Sequence, residues 1–139
     1  MKPPGERGAI STEFAVAVTA FLTAFMLLVV FAGRVASAEN SVRSAAQEAA
    51  RAASLTGNPT SADTAARQTV AANLATAGLA CSRGLVVDVD LANFAPGGTV
   101  AVAVTCTASF SDVAPLAVPG THTFQGVAVE VIDRHRSGP

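Results

Sequence analysis

From Phe14 to Gly33 the chain runs for twenty residues without a charge. As a helix at about 1.5 Å per residue it would measure about 30 Å, the hydrocarbon thickness of a bilayer. In a chain of 139 residues a soluble core could hardly enclose a helix of that length and hydrophobicity, so the run reads as a transmembrane segment. Lys2 and Arg7 precede it while Arg34, Arg43 and Arg51 follow it, and this even distribution of cations does not orient it. An N-terminus-inside orientation is expected because the run starts close to the N-terminus, as a signal-anchor does. It also places the two cysteines in an oxidising compartment.

Helical character continues past the run. Ala38, Val42, Ala45, Ala49 and Ala52 recur at three- and four-residue spacing and make a narrow apolar face. Arg43 follows Glu39 by four residues and Arg51 follows Glu48 by three, both on the solvated side. Between residues 9 and 55 only Gly33 could interrupt a helix. The segment "TGNPTS", 56–61, must end it. A second alanine-rich helix is expected from an N-cap at Ser61, with Asp63 in its first turn, to a stop at Gly78.

After Cys81 the period changes from that of a helix to two. Val87, Val89 and Leu91 alternate with Asp88 and Asp90, and Val100, Val102, Val104 and Cys106 share a face beyond the turn "APGG". In "THTFQGVAVEVI" the alternation puts Val127, Val129 and Val131 together. Three antiparallel strands with one valine-rich face need a cover, and the two helices supply it, giving an α+β domain. The expected organisation is residues 1–8 as a leader, 9–34 as a transmembrane helix, 35–55 as its amphipathic extension, 56–132 as an extracytoplasmic α+β domain and 133–139 as a flexible tail.

Charge and chemistry narrow the function. A net charge of −1 and a pI near 6.0 give no basic field for nucleic acid. Asp88 and Asp90 have no nucleophile or base beside them and read as solvated strand charges. His122 and His135 have no metal-ligand spacing to any cysteine or acid. No phosphate loop and no Ser/His/Asp arrangement occurs, so catalytic, metal and cofactor roles are not expected. Cys81 and Cys106 read as a disulfide if this part lies outside the cytoplasm, and as two buried thiols otherwise. A bridge would close a loop of about 25 residues and contribute roughly 3.5 kcal/mol. In the apolar run, Ala15, Thr19 and Thr23 lie four apart with Ala20 and Ala24 beside them, a spacing of small residues that lets helices approach closely in lipid.

Glu13 needs a further reason, since a carboxylate at a membrane edge is costly unless partnered or functional. Gly8, four residues, then Glu13-Phe14 and an apolar helix resemble a class III signal, the prepilin peptidase site. The stretch "RGAISTEFAVAV" resembles the TadE-like family, minor pilins or pseudopilins of tight-adherence (Flp) pilus systems. The resemblance implies cleavage after Gly8, Ala9 as the mature N-terminus, Phe14 in the recognition motif, and Glu13 as the acid that offsets a neighbour's N-terminal ammonium. It departs in one place: where many members have a proline shortly after the Glu-Phe pair, this chain has Thr19. The partners it implies are the prepilin peptidase, the major pilin, other minor pilins, and the membrane assembly platform with its ATPase. It also implies a single-pass protein of the cytoplasmic membrane that enters a pilus or its tip. Two rivals stand beside it. Ala36-Ser37-Ala38 is an A-x-A pattern at which signal peptidase could release a soluble binding domain, although the apolar run exceeds an ordinary h-region of about 7–15 residues. An uncleaved bitopic scaffold of a secretion system is the other.

Overall fold

The computed structural model of the chain describes residues 7–113 and 118–135. The leader residues 1–6, the tail residues 136–139 and residues 114–117 of the last connection lie outside them. The elements are α1 (Arg7–Ser54), α2 (Pro59–Thr76), β1 (Gly84–Asp90), β2 (Thr99–Ser109), the single turn α3 (Phe110–Val113) and β3 (Thr121–Val131). The chain forms two compact units, Met1–Arg34 and Val35–Pro139. The long helix, second helix and three-stranded antiparallel sheet are the α+β architecture that the two periodicities imply; the short α3 is not legible in them.

Across residues 12–30 α1 has no covered face: every residue there is exposed. In the second unit the helix becomes amphipathic, and Ala38, Val42, Ala45, Ala46, Ala49, Ala50 and Ala53 are buried. The stripe is broader than the expected one, and Ala52 sits half-buried at its margin. Arg43 donates to Glu39 at 2.6 Å, one turn back. Glu48 is engaged elsewhere, accepting from Asn73 Nδ2 of α2 at 2.8 Å, so it pins the helix pair together.

The second helix begins earlier than Ser61. Asn58 is the N-cap, its side chain accepting from the Ser61 N–H at 2.9 Å, and Pro59 occupies the first turn, where its missing N–H costs nothing. At the other end Gly78 adopts φ 67°, and the Leu79 and Gly78 N–H groups donate to Leu74 and Ala75 carbonyls. That pair of bonds is a Schellman stop, and it requires the left-handed residue that glycine supplies without strain.

The sheet order is β1-β2-β3, with Leu85 opposite Cys106 and Cys106 opposite Phe124. Val100, Val102, Val104, Cys106 and Ala108 of the central strand are all buried, and Val87 and Val89 pack on the same core. The third strand corrects the expected face. Val127, Val129 and Val131 are 71%, 61% and 66% exposed, while Phe124 and Gly126 point inward. The cause is the close approach of α1. A Cβ on Gly126 would lie 2.7 Å from the Val42 carbonyl oxygen and 2.9 Å from Arg43 Cα, so the strand meets the helix where it has no side chain.

Candidate functional site

Two places carry the residues singled out in the sequence: the head of α1 and the cysteine pair. The backbone of Gly8 and Ala9 lies in the first turn of α1. Glu13 is exposed and stands six residues beyond the start of the helix, whose first turn contains no acid. A helix-dipole role, which falls off within the first turn, therefore does not explain it. Among the described residues the ion pairs are Arg43 with Glu39 and Arg67 with Asp63, His135 lies 3.7 Å from Asp133, and none of these contacts includes Glu13. Phe14 next to it is 72% exposed.

Ala15, Thr19, Ala20, Thr23 and Ala24 lie along one shallow groove of this helix, with Thr12, Val16 and Leu27 at its ends. Its hydroxyls are not free. Thr19 Oγ1 donates to the Ala15 carbonyl and Thr23 Oγ1 to the Thr19 carbonyl, both at 2.8 Å. The threonines thus leave no unmet hydrogen-bonding need on a surface built of small groups, which suits a lipid or a second helix equally.

In the second unit Cys81 and Cys106 form a disulfide, with sulfurs 2.04 Å apart and Cα atoms 5.2 Å apart. It ties the segment entering β1 to the second half of β2. Beside it Ser82 Oγ donates to Asp112 Oδ2, and the Ser109 N–H donates to the same oxygen at 3.2 Å. The Ser109 hydroxyl first, and then that of Ser82, hold the Asp112 carboxyl below its ordinary range. Further along β1, Arg67 bridges that strand and α2. Its Nε donates to Asp63, and its Nη1 donates to the Val87 carbonyl at 2.8 Å. This pair lowers the Asp63 carboxyl and raises the guanidinium, the hydrogen bond between them being the main cause.

Asp88 and Asp90 are exposed on β1. His122 packs edge-on to Phe124 at 4.7 Å, a ring contact that sequence spacing did not reveal. Among the described residues no group of three or more His, Cys, Asp and Glu is placed to hold a metal ion.

A helix long and apolar enough to cross a membrane, continued into a disulfide-bonded α+β unit, is the layout of a protein that a membrane could anchor. Residues 8–51 match the model of the TadE-like protein family, so the N-terminal region is similar to that family. That family is pilus-associated and structural in kind. No curated protein and no solved structure matches this chain.

Proposed function

We propose that the chain is a minor pilin or pseudopilin of a tight-adherence (Flp-type) pilus, cleaved after Gly8 by a prepilin peptidase and assembled through α1. The observation that carries this reading is a coincidence of position. The family match starts at residue 8, where "GAISTEF" opens a helix with nothing covering residues 12–30. An apolar surface of that extent needs lipid or other helices around it, and a pilin-like subunit exchanges the first for the second on assembly.

Glu13 fits the same scheme. In the described chain it has no cationic partner, and cleavage after Gly8 would create an ammonium at Ala9 on each subunit for a neighbour's Glu13 to offset. The disulfide supports an N-terminus-inside orientation, because such bridges persist outside the cytoplasm. The second unit would then be displayed there, and the major pilin, other minor pilins, assembly platform and its ATPase would be the partners. Release by signal peptidase after Ala38 fits less well. Ala38 is buried in the second unit and lies within an unbroken helix.

The test is the intact mass and N-terminal sequence of the protein from its native cells. A chain starting at Ala9, with or without one methyl group, is the expected result. A start at Glu39 or at Met1 would overturn the proposal. Replacing Gly8 with a bulky residue should leave the full-length precursor in the membrane, and normal processing of that variant would remove the assigned cleavage site.

A further inference from the structure

The outer face of the sheet, turned away from both helices, is divided into two halves. Toward one end it carries Thr105, Thr107, Thr123 and Gln125 with Val86 beside Thr105, and the hydroxyls of Thr107 and Thr123 lie 3.1 Å apart. Toward the other the same three strands change character. Across the sheet one row reads Asp90, Ala101, Val129 and the next reads Asp88, Ala103, Val127. The alanines are half-buried, the valines are more than 60% exposed and the carboxylates are exposed.

Strands about 4.8 Å apart make this a trough about 10 Å wide, floored by two alanines, walled by valines on one side and by carboxylates on the other. That width accepts the ridge of a helix. We infer that this trough is a docking surface for an amphipathic helix of another subunit of the assembly, with apolar side chains over Ala101 and Ala103 and Lys or Arg along the flank facing Asp88 and Asp90. The charge pattern selects this occupant. A second copy laid strand against strand would bring no strand cation to the two acids, since the three strands contain no Lys or Arg, and Arg67 beside Asp88 is already engaged by Asp63 and the Val87 carbonyl. An anionic membrane surface would be repelled by the same two acids. A protein interface with an apolar centre and a charged rim matches the trough on both counts.

The inference rests on the pilus-association reading, and its test separates the two. A photo-cross-linking amino acid is placed at Val129 and, as a control, at Thr123 in the full chain in its native cells. The N-terminus is read on the same sample. An adduct from position 129 and not from 123 is expected, mapped by mass spectrometry to a helix of a different pilus subunit with Lys or Arg beside apolar residues. Its yield should fall roughly fivefold in an Asp88→Lys/Asp90→Lys background through loss and reversal of two rim pairings. Formation of the Cys81–Cys106 bridge in that variant reports folding. If it fails to form, Asp88→Asn/Asp90→Asn replaces it, with a smaller fall expected. An adduct with a second copy, an adduct with lipid alone, equal yields from both positions, or no adduct from a chain correctly processed at Ala9 would each overturn the docking surface. A chain still starting at Met1 that gives the expected adduct would overturn the processing reading while keeping the surface.

Discussion

Asp112 and Glu13 are both exposed or partly exposed carboxylates, yet their surroundings give them opposite characters. Asp112 is met by Ser82 and by the Ser109 N–H, which tie α3 to the segment beside the disulfide. A carboxyl held below its ordinary range by folding adds stability at pH above its unfolded value, and loses that contribution as pH falls through the folded one. Asp112→Asn should therefore be less stable than the parent near neutrality, with the gap closing below about pH 4. Thermal melts of both proteins at several pH values check this, and a gap that widens on acidification would refute it. Glu13 has no such partner within the described chain. On the pilin reading Glu13→Ala permits cleavage after Gly8 but reduces recovery of the protein in sheared pilus fractions. Unchanged recovery would remove its registering role.

The elements show how a backbone contact can outweigh side-chain pattern. In β3 the residues Phe124, Gly126 and Ala128 compete with Val127, Val129 and Val131 for the core, and hydrophobicity alone favours the valines. The glycine decides it, because the Val42–Arg43 backbone of α1 occupies the space a Cβ would need. Gly126→Ala should destabilise the second unit by about 1–3 kcal/mol, since neither helix nor strand can withdraw without opening the core. Denaturant unfolding measures it, and a neutral effect would mean the two backbones can separate freely. The central strand was legible in advance because Val100, Val102 and Val104 alternate with small or polar residues, leaving one candidate face. β3 offered two, and the choice depends on the backbone of Val42 and Arg43, far away in sequence. Asn58-Pro59 was a readable helix start, but Ser61 and Asp63 offered a second one nearby, and the proline settles the matter at the first turn. The head of α1 was legible as a motif because its residues act in series along the chain. The trough on the outer face was not, since it needs three strands in register.

At the scale of the molecule, the second unit is held by a core of small side chains. Nine of its buried apolar residues are alanines, and Phe124 is the only buried aromatic among the described residues. Each alanine brings little apolar area out of water, so this core stabilises less per residue than one built of leucine and phenylalanine. Against a typical total of about 5–15 kcal/mol, a cross-link contributing roughly 3.5 kcal/mol is a large part of the whole. The bridge also joins the only two cysteines, one entering β1 and one in the second half of β2, and so fixes the hairpin on which the helices pack. Reduction of the full-length protein in detergent should lower its melting temperature by roughly 15–25 °C. The double variant Cys81→Ala/Cys106→Ala should behave similarly without reductant. A shift of only a few degrees in both would mean that alanine packing against the sheet suffices without the bridge. If the larger shift holds, the unit reaches full stability only in an oxidising compartment, as the N-terminus-inside orientation requires.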